Sequence, residues 1–391
     1  MRIAVVCSDL GVRLPGTKGA SLHVEAITRA LAECGHDVLL VGVRGHAPLT
    51  GVNGLLLEHP GRSKGLRREL RKLRFTRRLA RDADGPVAAF APDVVYERLS
   101  LFGTAGSRLA ERCGALHVVE VNALLAQEES QWRGLRLART ARRLECAVLD
   151  HADLRLPVSA ELADEVDRVS PGRPTKVLAN GVDVATFGEQ VLAQPARRLL
   201  GLPPAAPVVA FAGTLRPWHG LDVAIRALPA LPGVLLAVAG DGPVRAELEL
   251  LAAREGVSDR VRWLGQLPQR QVRQLLAAAD VAIAPYPPLA GFAYSPLKLY
   301  EYLAAGVPIV ASDIGQISAV LGRGRWGRLV PPGDPAALAA ALRAVIDDPA
   351  GSRATAQMAR QMALREHSWQ ARAKQVTEMI EARWDDRALA G

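Results

Sequence analysis

Residues 295–312, SPLKLYEYLAAGVPIVAS, place a lysine, a carboxylate and a helix start at spacings suited to a phosphorylated ligand. Pro296 lacks the N–H that the first turn of a helix would leave unpaired, so it suits that turn. The backbone N–H groups of Leu297 and Lys298 then point out of the helix start, where the positive end of the helix dipole favours an anion. Lys298 adds a full charge beside them. Glu301, three residues on, shares the helix face and can accept two hydroxyl hydrogen bonds, such as a ribose offers. Gly306 and Pro308 end the helix, and the apolar run 307–311 predicts a buried parallel strand. Diphosphate at the helix start and ribose one turn on is the chemistry this spacing supports.

The elements that must position this segment follow from hydropathy. Short apolar runs alternate with helical stretches along the whole chain, the pattern of parallel sheets covered by helices on both faces. Strands are predicted over 3–7, 38–43, 94–96, 117–121 and 154–158 in the first half. The second half gives 208–212, 235–239, 261–264, 281–284 and 309–311. Proline-bearing stretches 171–174 and 194–207 flank the natural boundary between two halves. A last helix is predicted over about 368–387.

At 391 residues the chain can bury two full cores. No apolar run of about 18 residues occurs, so no membrane span is expected. The chain enters its first strand at once, without a signal-peptide pattern. Cys7, Cys34, Cys113 and Cys146 have no metal or redox spacing, which points to a cytoplasmic protein with reduced thiols.

Charge is concentrated. Residues 62–81 hold ten basic side chains and one acid, Glu69, an excess equal to the whole chain's net charge of +9. Leu66, Leu70 and Leu73 follow helical spacing, which predicts a basic amphipathic helix with those leucines inward. A solvated face and a peripheral dock for an anionic membrane surface or lipid-linked acceptor, at the inner membrane face, both fit it. Nucleic acid is disfavoured, because aromatic residues are only 4% of the chain.

Segment 295–312 resembles the donor-site signature of retaining family-4 glycosyltransferases, in the variant with S-P-x-K before E-Y-x-A-x-G-x-P. MRIAVV at the start, VLANGVD at 177–183, FAGTLRPWHG at 211–220, AGDGP at 239–243 and VRWLG at 261–265 appear in that family's order. The resemblance covers nearly the whole chain. It implies the α/β GT-B arrangement: two facing Rossmann-like domains, with a C-terminal helix crossing back. The expected division is 1–185 for an acceptor-side domain, 186–366 for a nucleotide-sugar domain and 367–391 for the crossover helix.

The resemblance also distributes roles. Lys298, Ser295 and Leu297 would meet the donor diphosphate and Glu301 the ribose. Gly265 would lie where backbone groups bracket the base. In the loop 16–20, small residues let backbone approach a ligand, although a tight strand–helix connection explains them equally. The resemblance implies that Gly16 and Gly19 close over donor phosphate and acceptor. Asn122 falls where relatives often carry histidine near the transferred sugar, and its amide offers one donor side and one acceptor side. Glu120 is a candidate acceptor-side carboxylate or an arginine partner; Glu128 and Glu129 read as solvated. Asp241 is expected to cap the following helix.

Three positions depart from the family's pattern. Thr214 stands where relatives commonly have arginine, and His219 where they have lysine. Arg216 and a protonated His219 would replace that basic pair. Ala293 stands where the first of two glutamates spaced eight apart would be, which leaves the donor sugar open. The implied activity is metal-independent retaining transfer from a nucleotide-diphospho-sugar (UDP- or GDP-linked) with no other cofactor, to a small polar metabolite or growing glycan. Two alternatives are a membrane-docked, non-catalytic nucleotide-sugar-binding subunit and a nucleotide-sugar epimerase. Oligomeric state is not legible.

Overall fold

A computed structural model describes residues 1–16, 18–289 and 295–390. The chain divides into two compact units. Unit 1 contains residues 1–180 and 369–391, with 293–295; unit 2 contains 181–292 and 296–368.

Unit 1 is built on a seven-stranded parallel sheet. Its strands are β1 (Arg2–Cys7), β2 (Arg13–Leu14), β3 (Asp37–Arg44), β4 (Asn53–Leu57), β5 (Val94–Arg98), β6 (Leu116–Val121) and β7 (Leu154–Pro157). They run in the order β2-β3-β1-β5-β6-β7, with β4 also paired to β3. All pairings are parallel, in registers such as Val5↔Leu40 and Val5↔Tyr96. Strands this central are buried on both faces, which is why β1 reads as an apolar run from Ile3 to Cys7. Helices α1 (Gly19–Glu33) and α2 (Gly65–Phe90) are among the sheet's cover. Phe75, Leu79, Ala83 and Val87 of α2 pack on Val6, Val41 and Val95. Phe75, Leu79 and Val87 each contribute about 1.5–3 kcal/mol by leaving water.

The inward face of α2 differs from the leucine-based expectation. Leu66 is exposed, whereas Glu69 is buried, with its carboxylate accepting from the N–H groups of Arg136 (3.0 Å) and Leu137 (2.7 Å). Arg68 also turns in, to pair with Glu129 at 2.8 Å, so Glu129 is buried and not solvated. Hydrogen-bond demand, not hydropathy, decides this half of the helix.

The C-terminal helix, Trp369–Ala390, belongs to unit 1. Trp369 meets His23 edge-on at 4.7 Å, His36 Nε2 lies 2.8 Å from Thr377 Oγ1, and Arg383 donates to the Asp153 carbonyl at 3.0 Å.

Unit 2 has a six-stranded parallel sheet in the order β10-β9-β8-β11-β12-β13. The strands are β8 (Val208–Ala212), β9 (Leu235–Ala239), β10 (Val261–Gly265), β11 (Val281–Ala284), β12 (Ile309–Ser312) and β13 (Arg328–Val330). Phe211, Leu236, Val238, Ile283 and Val310 form its centre. The helix Leu297–Ala305 sits between β11 and β12 in sequence. Pro296 is its N-cap, one position before the first turn, and Gly306 closes it at φ +69° as expected.

Candidate active site

The glycines of unit 2 bring backbone against backbone at the ends of β8 and β9. Gly213 N–H donates to Ala239 O at 2.9 Å, Leu215 N–H to Asp241 O at 3.0 Å, and Gly240 N–H to Gly265 O at 2.7 Å. A Cβ on Gly240 would stand 1.9 Å from Gly213 O, so only glycine permits this approach. Asp241 holds the turn itself, accepting from Gly242 N–H at 2.8 Å. The next helix has Val244 as its N-cap without a side-chain cap, so Asp241 is not the cap expected of it.

Above this turn lies Lys298. Its residue is 8% exposed, and its Nζ has no hydrogen-bond partner among the described residues. The ammonium sits 4.2 Å from the centroid of the Phe211 ring and 5.4 Å from that of Tyr286. A Cβ on Gly213 would come within 2.9 Å of Nζ, so this glycine also leaves room for the lysine. Aromatic faces attract a cation but do not satisfy its three N–H donors. Burial pushes the Lys298 ammonium down to about 7, against the pull of Glu301. Burial likewise raises half-buried Glu301 to about 7; Lys298 opposes that rise and Asp183 adds to it. Tyr302, on the same helix, receives the Ala212 N–H at 2.9 Å and pins the helix to the end of β8.

The loop after β8 supplies Thr214, Arg216 and His219. Thr214 is exposed, and its carbonyl accepts from His219 Nδ1. That bond places the ring proton on Nδ1 and leaves the Nε2 lone pair open. Burial, then Lys298 and Arg216, push His219 down to about 3. The protein's own groups therefore hold the imidazole neutral, opposite to the charge expected of it; only an added negative charge would protonate it. The His219 ring meets Tyr286 edge-on at 5.9 Å, and the Arg216 guanidinium lies 5.4 Å from the centroid of Trp218. Gly265, half-buried at the end of β10, contributes the carbonyl already described. Ser295 is buried, with its carbonyl accepting from Asn180 Nδ2 at 2.7 Å, and Leu297 opens the helix. Ala293 lies outside the described residues.

The structure thus gathers Lys298, Glu301, Arg216 and His219 around one place in unit 2. Sequence reasoning missed Phe211, Tyr286 and Asp183. Phe211 lies in the apolar run of β8 and Tyr286 in the loop after β11, and only the folded sheet brings them to the same ammonium.

In unit 1 the candidates behave differently. Glu120, at the end of β6, is 1% exposed and accepts from four donors. His23 Nε2 lies 2.9 Å and Tyr96 OH 2.6 Å from Oε2, and Arg98 Nη1 lies 2.8 Å from Oε1, which Asn122 Nδ2 also contacts. Burial alone would raise this carboxyl, but His23 and Arg98 outweigh it and hold it well below the usual carboxylate range. Both oxygens are engaged, so Glu120 takes the arginine-partner role and is not open to an acceptor. Asn122 turns its NH₂ to that carboxylate, which leaves Oδ1 as its remaining polar atom. Gly16 donates to Glu25 at 2.8 Å, and a Cβ there would meet Arg13 O at 2.4 Å, so its smallness serves a tight connection. Gly19 begins α1, which has no side-chain cap. Among the described residues no three His, Cys, Asp or Glu side chains gather as a metal would require, and no helix is long and apolar enough to cross a membrane.

Two family models match the chain. The one described as glycosyl transferases group 1 matches residues 206–348, and the one described as Glycosyltransferase Family 4 matches 17–186. A glycogen synthase of Mycobacterium tuberculosis is 32% identical over 295 residues, covering 73% of this chain and 68% of that protein. A D-inositol 3-phosphate glycosyltransferase of Salinispora tropica is 31% identical over 401 residues, covering 93% and 82%. Among solved structures, sucrose-phosphate synthase of Thermosynechococcus elongatus superposes with a TM-score of 0.80 at 20% identity, covering 99% of this chain and 100% of that one.

Proposed function

This chain belongs to the family-4 glycosyltransferases and has their GT-B fold, and on that premise we propose that it transfers a sugar, with retention, from a nucleotide-diphospho-sugar to an acceptor hydroxyl. The observation that carries the donor assignment is the buried Lys298 ammonium without a hydrogen-bond partner, at the start of a helix that bears Glu301 one turn on. An isolated buried charge costs several kcal/mol, and a protein keeps one where a ligand completes it.

In this reading the diphosphate lies between Lys298 and the N–H groups opening the helix, with Arg216 nearby. These groups stabilise charge that grows on the departing phosphate, so they act most strongly in the transition state. Glu301 holds the ribose. A donor phosphate oxygen takes the acceptor proton, and the acceptor attacks from the face that the phosphate leaves. Asn122 presents Oδ1 to a sugar hydroxyl. The acceptor is a small polar metabolite or a growing glycan; one relative is named for a phosphorylated polyol and another for a glycan.

Calorimetry with UDP, GDP and dTDP, then transfer of labelled sugar from the matching donors, tests this. One nucleotide should bind to the wild type and lose affinity in Lys298→Ala. Equal binding by both proteins would remove Lys298 from the site. Exposed Arg67, Arg74 and Arg77 on α2 are proposed to contact anionic membrane peripherally, through charge attraction. Failure to sediment with anionic vesicles at low salt would end that part of the proposal.

A further inference from the structure

Unit 2 holds another buried cation, at the edge of its sheet away from Lys298. The donor-site groups follow the C-terminal ends of β8 and β11. At the opposite edge, Pro207, Asp280 and Pro308 stand just before β8, β11 and β12 and line a cavity of about 630 Å³. Cavities of about 300–1,000 Å³ are the size that takes a small organic molecule. The helix Gln269–Ala278 forms one wall, and the end of Leu297–Ala305 forms another. Leu276, Val307 and Ile346 give the lining its apolar surface, and Arg197, Arg273 and Arg353 give it charge.

The acid in that lining, Asp280, is fully engaged. Its Oδ2 accepts from Arg197 Nη2 at 2.7 Å and from the Val208 N–H at 2.9 Å, and its Oδ1 from Arg353 Nη2 at 3.3 Å. Arg197 completes itself on backbone carbonyls, with Nε on Ala278 O at 2.9 Å and Nη1 on Ala206 O at 2.9 Å. Asp348, near the rim, accepts from the Gly351 N–H at 3.0 Å. Arg273 is the exception. The residue is 4% exposed, and its Nε and Nη2 share the Glu189 carbonyl at 3.1 and 2.5 Å. Nη1, on the other edge of the guanidinium, has no partner among the described residues. Arg360 donates to the adjacent carbonyl, that of Gly188. Its stem lies against the cavity-lining Gly306, where a Cβ would come within 2.9 Å of Arg360 Cδ. Two guanidinium groups therefore hang from consecutive carbonyls, and neither is hydrogen-bonded to a carboxylate among the described residues. Burial and Arg360 both press against the Arg273 charge, with exposed Glu189 opposing them.

A buried guanidinium held only by a carbonyl lacks the counter-ion that would offset its lost hydration. A carboxylate or phosphate supplies both the charge and the acceptor oxygens that the planar donor edge fits. We propose that this cavity binds a small organic anion, whose carboxylate or phosphate group meets Arg273 beside Arg360 and whose apolar body covers Leu276 and Val307. Leu276 lies one turn beyond Arg273 on the same helix face, and Val307 follows Gly306, so both adjoin the charged end. The site is separate from the donor site and does not rest on the glycosyl-transfer reading.

The test follows the methyl signals of Leu276, Val307 and Ile346 by NMR in the full chain, with benzoate and phenyl phosphate as probes and benzyl alcohol as the uncharged control. At least one anion should shift these methyl groups saturably, at least tenfold more tightly than the alcohol, and the tighter anion names the preferred group. Arg273→Gln should weaken that anion about tenfold, or about 1.4 kcal/mol. Ala277→Phe, which fills the cavity from a half-buried position in its wall, should abolish binding, and it decides the matter if Arg273→Gln does not fold. Lys298→Ala should bind the anion as the wild type does. No saturable shift with either anion, equal binding of the alcohol, or unchanged affinity in Arg273→Gln or Ala277→Phe overturns the site. Loss of binding in Lys298→Ala would place the anion at the donor site and overturn it equally.

Discussion

Glu120 in unit 1 and Lys298 in unit 2 are both buried ions, and they are treated in opposite ways. Glu120 collects His23, Tyr96, Arg98 and Asn122, one donor set filling both oxygens. Lys298 has two aromatic faces and no hydrogen-bond partner among the described residues. A saturated ion is part of the fold, because every lone pair that left water was replaced. An unsaturated one is a liability in the protein alone and becomes useful when a ligand supplies the missing charge.

The widest gap between them should appear on deletion. Glu120→Leu leaves His23 and Arg98 buried without their counter-ion, and should cost about 3–5 kcal/mol in denaturant unfolding. A loss below that range would mean that the network is not what holds α1 to β5 and β6. Lys298→Met should go the other way, raising stability by about 1–4 kcal/mol while abolishing nucleotide binding. Calorimetry and unfolding on the same variant read both; a destabilised variant would show that the ammonium is satisfied after all.

A smaller effect sharpens the contrast through pH. Burial brings both Lys298 and Glu301 to about 7. Below that value Glu301 gains a proton and loses acceptor capacity, and above it Lys298 sheds its charge. Affinity for the nucleotide should therefore be bell-shaped, with its alkaline limb moved upward because the bound diphosphate favours charged Lys298. Glu301→Gln should lose about 1.5–3 kcal/mol of affinity and remove only the acid limb. An unchanged acid limb would take Glu301 off the ribose.

The smallest effect concerns His219, neutral with its proton on Nδ1. If the diphosphate protonates it, kcat falls on the alkaline side with an ionisation absent from His219→Lys. His219→Ala should lower kcat about tenfold, or about 1.4 kcal/mol, with little change in donor binding. A kcat profile indifferent to the substitution would leave the ring as packing against Tyr286.

The sequence disclosed what depends on neighbours along the chain. β1 and β8 were legible because burial on both faces makes an uninterrupted apolar run. The helix around Lys298 was legible because proline, glycine and charge fall at fixed offsets. β4 was not, since Asn53 and Gly54 open it at the sheet's edge, and β2 and β13 are too short to leave a pattern. The meaning of Glu120 was hidden because His23 is 97 residues away and Tyr96 is 24. Glu69 looked like a stray acid in a basic helix until Arg136 and Leu137 were seen to need an acceptor. Whether a charged residue belongs to a ligand or to the fold depends on distant donors, which local spacing does not record.

The return of the helix Trp369–Ala390 to unit 1 sets an order of assembly on the ribosome. Unit 2 emerges whole between residues 1–180 and 369–391, which make up nearly all of unit 1. Its sheet can close as soon as β13 and the helices after it are synthesised, while unit 1 still lacks the surface that covers α1. His23, His36 and Asp153 then wait for Trp369, Thr377 and Arg383. The half of the protein made first is thus the half completed last, and a nascent chain stalled before residue 369 would carry a finished unit 2 sheet and a unit 1 with part of its helical cover missing.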